Sequence, residues 1–120
     1  PLPATPICAW ANFYDSLTGG MYCVGDTSAV GSYDPAGSSP YGALDMAGNV
    51  LEWVNDWYDS SYYSSPASCC DPQGPPSGSE KVVRGGSWGH DQGVARVAFR
   101  GKFAPDYVDY WLGFRCVSSP

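Results

Sequence analysis

Basic side chains are scarce in this chain of 120 residues: six Lys and Arg stand against twelve Asp and Glu, a formal net charge of -6. With no Lys/Arg cluster to reverse that balance locally, the electrostatic footprint of a nucleic-acid or anionic-membrane partner is missing. Long apolar runs are missing too. None approaches the roughly 20 residues of a membrane span, and the opening Pro-Leu-Pro lacks the charged and apolar regions of a signal peptide. The chain therefore reads as soluble, with no membrane insertion and no nucleic acid among its partners. No Cys-x-x-Cys pair occurs, which removes the spacing of a zinc knuckle or a thioredoxin-type site. Histidine occurs once, at His90.

What is abundant points to loops and packing groups. Fifteen Gly and eleven Pro, scattered without a period, interrupt long helices and make turns frequent, while 15% aromatic content supplies large side chains for a core or a contact surface. At 43% hydrophobic content the length suits one modest domain over residues 1–120. The five cysteines are Cys8, Cys23, Cys69, Cys70 and Cys116, and their odd number leaves at least one unpaired. Adjacent Cys69 and Cys70 are open to three readings: a vicinal disulfide, exposed thiols, or partners of distant cysteines.

The chain divides into three parts. Residues 1–40 read as irregular structure with short strands, punctuated at Gly19-Gly20, Asp34-Pro35 and Ser39-Pro40. Residues 41–63 hold the densest apolar run; Val50, Trp53, Val54 and Trp57 suit a short helix or a buried strand, and the Gly and Asn before them favour the strand. Residues 64–79 form a Ser/Pro/Gly-rich surface loop, after which "KVVRGGSW", "ARVAFR" and "LGFRCV" are expected as further strands. The class is α+β, loop-rich, with a mostly β core.

Four blocks in register, "YGALDMAGNVLEWVNDWY", "VVRGGSW", "ARVAFR" and "LGFRCV", resemble the formylglycine-generating enzyme (sulfatase-modifying factor) family from about Ala11 to Val117. The resemblance implies a C-type-lectin-like fold with little regular secondary structure. Family domains usually extend well upstream of this chain's first residue, so the sequence resembles the C-terminal half of a longer domain or a shortened member.

Metal ligation is a further expectation. Gly48, Val50 and Glu52 alternate with period two, which in extended backbone would turn carbonyls and one carboxylate to one side, an arrangement of hard oxygens that suits calcium. The resemblance implies a calcium site on Asp45, Gly48, Val50 and Glu52, and a second on Asn12, Phe13, Asp26 and Ser28. The alternative for the first group is a core strand flanked by solvated acids. Arg84, Arg96, Arg100 and Arg115 read as scaffold residues that brace carbonyls and carboxylates with their fixed fork of donors.

The family's enzymes oxidise a substrate cysteine with a cysteine pair that binds copper(I), placed just after the "RGGS" block. Here Ser87 to Arg100 contains no cysteine, so no copper and no catalytic residue are expected. His90 and Asp91 are the only other chemistry in that segment, and a solvated polar turn accounts for them. What the region offers is variety: Gly89, His90, Asp91, Gly93 and Val94, then Phe99, Gly101, Lys102, Phe103, Tyr107, Val108, Asp109, Tyr110 and Trp111. Aromatics mixed with small and polar groups on loops are the ingredients of a paratope. The pattern resembles the variable proteins of diversity-generating retroelements, which implies a non-catalytic binding surface over residues 89–94 and 99–111 for a protein or carbohydrate ligand. The alternative is an oxidoreductase of the sulfatase-modifying or ergothioneine-forming type. The compartment stays open; display at a surface or outside the cell, as part of a longer protein, is compatible with the reading.

Overall fold

The computed structural model describes residues 7–64 and 72–117. Regular structure is sparse. A short antiparallel hairpin, β1 (Tyr14–Asp15) and β2 (Met21–Tyr22), precedes the longest strand, β3 (Leu51–Trp57). After a 3-10 turn at Tyr62–Ser64 come β4 (Lys81–Arg84), one helical turn α1 (Gln92–Ala95), β5 (Gly101–Phe103) and β6 (Leu112–Gly113). The main sheet has the order β5-β4-β3-β6: β4 is antiparallel to both β3 and β5, while β6 runs parallel to β3 through only two residue pairs.

The core lies on either side of β4. Val82 and Val83 are both fully buried, and since consecutive strand residues point to opposite faces, both faces of this strand are covered. Phe13, Leu51, Ala11 and Ala95 complete the buried apolar set among the described residues. Each large member contributes about 1.5–3 kcal/mol by leaving water.

Both glycines of "RGGSW" take positive φ, 90° at Gly85 and 71° at Gly86. A Cβ on Gly86 would stand 2.8 Å from Ala95 Cα, so only a glycine lets the end of β4 pass against α1. "KVVR" is a strand as expected, and the apolar run after Asn49 is the strand β3.

"ARVAFR" is not a strand. Asp91 caps α1, accepting from the amides of Gly93 and Val94, and Ala95 falls inside the helix. Beyond it, the Arg84 guanidinium takes the carbonyls of Val97 and Phe99, and the edge of β4 is filled by Gly101–Phe103 instead. Capping and arginine bonding thus outcompete the β-propensity of Val97 and Phe99. "LGFRCV" is shortened to Leu112–Gly113, with Phe114 and Val117 exposed. Residues 65–71 of the Ser/Pro/Gly-rich loop, including Cys69 and Cys70, lie outside the described residues.

Candidate functional site: an aromatic loop surface over a braced scaffold

Three loop aromatics converge on Phe103 at the end of β5. Phe103 stacks on Tyr107 at 4.5 Å between ring centroids, Trp111 lies 5.6 Å from Phe103 and 6.0 Å from Tyr107, and His90 meets Trp111 edge-on at 5.3 Å. Trp53, from β3, touches Phe103 from the sheet side at 6.4 Å. Tyr110 belongs to a second row, Tyr14, Tyr22, Trp88 and Tyr110, with successive centroids 5.0, 5.8 and 5.9 Å apart. Tyr110 is 75% exposed, whereas Trp111 is half-buried and its carbonyl accepts from Leu51 N at 2.9 Å.

The polar members are held in place by their own hydrogen bonds. Tyr107 Oη donates to Asp109 Oδ2 at 2.9 Å, which raises the phenol pKa, and Asp109 Oδ1 accepts from Tyr110 N. His90 pairs its Nδ1 with the Ser87 hydroxyl at 2.6 Å, and its carbonyl accepts from Tyr14 N. Burial pushes the imidazole pKa below its ordinary value, and the Asp91 charge opposes that shift only in part. Gly89, Asp91 and Gly93 are exposed around α1, and Val94 is half-buried. Phe99 and Gly101 sit deeper: Gly101 pairs with Val83 in the sheet, and a Cβ on it would meet the Phe99 ring at 3.2 Å.

Beneath this surface the arginines act as braces. Arg84 donates to Val97 O and Phe99 O, Arg96 to Gly93 O, Arg100 to Asp59 O, and Arg115 to Leu44 O, Asp45 O and both Glu52 oxygens. Arg100 also lies over the rings of Tyr58 and Tyr63, at 5.0 and 4.8 Å. Carbonyl bracing was legible from the sequence, although Arg96 is exposed and spans a single turn.

The two groups of oxygen-bearing residues meet at one residue that sequence reasoning passed over. Asn49 N donates to Asn12 O, its Oδ1 accepts from Ser28 N at 2.8 Å, and its Nδ2 donates to Ser28 O at 3.2 Å. The period-two argument fails at this point: Gly48 and Asn49 have φ 76° and 65°, so extended backbone begins only at Leu51. A Cβ on Gly48 would strike the Asn12 backbone, which sets the close approach of the two segments. Val50 is half-buried at the end of this turn.

The two groups differ in the oxygens they leave free. In the first, Glu52 has both carboxylate oxygens on Arg115, and Asp45 Oδ2 accepts from Gly31 N at 2.8 Å. In the second, Asn12 Oδ1 is buried without a partner, while Asn12 Nδ2 donates to Asp26 O at 2.7 Å. Phe13 O accepts from Cys23 N, and Asp26 Oδ1 from Thr27 N. No group of three His, Cys, Asp or Glu side chains converges among the described residues, so a cation there would combine amide and carbonyl oxygens with the single carboxylate of Asp26. Cys8 and Cys23 form a disulfide, and Cys116 is free and exposed. No described helix is long and apolar enough to cross a membrane.

A small sheet wrapped in long connections, with its conspicuous side chains on the loops beside it, defines a C-type-lectin-like fold. The model of the sulfatase-modifying factor enzyme 1-like domain matches residues 6–120, and the chain belongs to that family. Its relatives include the formylglycine-generating enzyme of Streptomyces coelicolor, 42% identical over 95 residues that make up 77% of this chain and 29% of the enzyme. Another is the serine/threonine-protein kinase pkn1 of Chlamydia pneumoniae, 43% identical over 95 residues, 78% of this chain and 15% of the kinase. Among solved structures, PvdO from Pseudomonas aeruginosa superposes with a TM-score of 0.68 at 32% identity, over 90% of this chain and 38% of that one. Treponema denticola variable protein 1 gives 0.64 at 32% identity, over 88% and 34%. The chain thus spans well under half the length of each of these relatives.

Proposed function

We propose that this chain is a non-catalytic ligand-binding domain whose contact surface is built by the loops at residues 89–94 and 99–111. The carrying observation is the division of labour in the fold. Arginine braces and glycine contacts fix the backbone from below, while Tyr107 and Tyr110 stand exposed on connections where their identity costs the sheet little, and Trp111 packs beside them. The likeness to a variable protein of Treponema denticola supports the reading. Aromatic rings bordered by few charges suit a protein or carbohydrate ligand.

Calcium would serve as a framework ion. The residues Asn12, Phe13, Asp26 and Ser28 fit it through the buried, unpartnered Asn12 Oδ1, a hard oxygen of the kind calcium takes. Its chemistry would be to tie the segment before β1 to the loop at 26–28.

The test is a screen of the domain against a glycan array and a displayed peptide library, followed by variants. Tyr110→Ala should abolish selective retention while leaving the melting temperature within about 2 °C of wild type, because an exposed ring contributes little to folding. Trp111→Ala should weaken binding and also destabilise, because that ring packs on three others. The second reading, an oxidoreductase of the sulfatase-modifying type, is favoured by the identity to the Streptomyces enzyme. Copper(I) binding with oxygen consumption on a cysteine peptide would establish it and overturn the first.

A further inference from the structure

The positive charge beside Glu52 comes from within the chain. Arg115, two residues past β6, donates from Nε to Glu52 Oε2 at 2.5 Å and from Nη2 to Glu52 Oε1, so the carboxylate is held through both oxygens. The remaining donors reach the loop that leads toward β3: Nη1 to Leu44 O at 2.9 Å and Nη2 to Asp45 O at 3.0 Å. Asp45 turns its carboxylate away, onto Gly31 N. A calcium ion entering here would have to expel a guanidinium that makes four hydrogen bonds in the fork geometry carboxylates favour.

We propose that the guanidinium of Arg115, rather than a divalent metal, is the resident cation at Asp45 and Glu52. It fastens three segments to one another: Glu52 of β3, the loop at Leu44 and Asp45, and the chain after β6. The need for such a clasp is local. β6 joins the sheet through two residue pairs, and Phe114, next to Arg115, is 76% exposed, so neither a longer ladder nor apolar burial holds this end of the chain. The side chains of Arg115 and Glu52 keep only 35% and 21% of their exposure, which shields the pair from solvent in part.

The melting temperatures of wild type, Glu52→Gln, Arg115→Met and the double variant, each in calcium and in chelator, test this. Each single change should lower the melting temperature by on the order of 5 °C, equally in both buffers, and the double variant should lose no more than the worse single. A calcium response larger in Arg115→Met than in wild type would also support an internal cation, since calcium bound at Asn12 and Asp26 would act equally on both. Loss confined to calcium buffer in Glu52→Gln would overturn the proposal, as would single variants that melt like wild type in both buffers. Should the variants fail to fold, nitrogen-15 NMR of wild type decides. A slowly exchanging Arg115 Nε–H signal that stays in place through a calcium titration is expected; a signal that moves or exchanges away as calcium is added overturns the assignment.

Discussion

His90 stands between opposing influences: burial against Trp111 and Ser87 favours the neutral ring, and Asp91 favours the charged one, with burial the stronger. The unfolded chain therefore takes up a proton at higher pH than the folded one. Stability from this residue is present above the unfolded imidazole pKa of about 6.5, falls as pH drops through that value, and stops falling below the lowered folded pKa. Urea midpoints measured from pH 8 to pH 5 should decline below ~6.5 in wild type and stay flat over that window in His90→Asn. A variant that declines as wild type does would assign the effect to other groups. Legibility at this scale follows chemistry. The arginine braces could be read because guanidinium geometry is portable, whereas Asn49 and Trp88 could not, since Asn49 bonds Ser28 and Asn12, 21 and 37 residues away, and Trp88 meets Tyr22 and Tyr110 from distant parts of the chain. The one cue for Asn49 was its place after Gly48, which signals a turn but not the amide bonds to Ser28.

Elements this short are decided by their ends. β3 and β4 were legible because their apolar runs are flanked by glycine and asparagine, and β4 keeps both faces buried. The segment 95–100 has the residues of a strand and is instead the end of a capped helical turn, a turn and two arginine-bound carbonyls, because Asp91 caps α1 just before it and Arg84 reaches it from 13 and 15 residues upstream. The contact between Gly86 and Ala95 is the joint of this arrangement. Gly86→Ala would place a side chain in the left-handed region, at about 1–2 kcal/mol, and drive a methyl into the α1 backbone, so a total loss of about 2–4 kcal/mol is expected. Chemical denaturation measures it. Since α1 carries Asp91 and Val94, ligand affinity should fall in the same variant, while a change in stability alone would separate the joint from the surface.

The whole molecule carries much loop on little core. Its radius of gyration of 14.9 Å exceeds the ~13.6 Å expected of a compact domain of this length, and the described residues include only six buried apolar side chains. A chain so built relies on cross-links that act at a distance. Cys8–Cys23 is one: it closes a loop of 15 residues that contains the hairpin β1 and β2 together with Phe13, the largest fully buried side chain. Chain entropy assigns a loop of that size about 3 kcal/mol, a large part of the margin of a small domain. Replacing both cysteines by serine should therefore lower the unfolding free energy by about 3 kcal/mol, read from urea titrations at fixed slope. The same loop contains Asn12, so the variant should also lose whatever stabilisation calcium gives to wild type. A double serine variant with an unchanged urea midpoint would mean that packing of Phe13 and the Asn49 bonds already fix this segment, and that the small core carries the fold without covalent help.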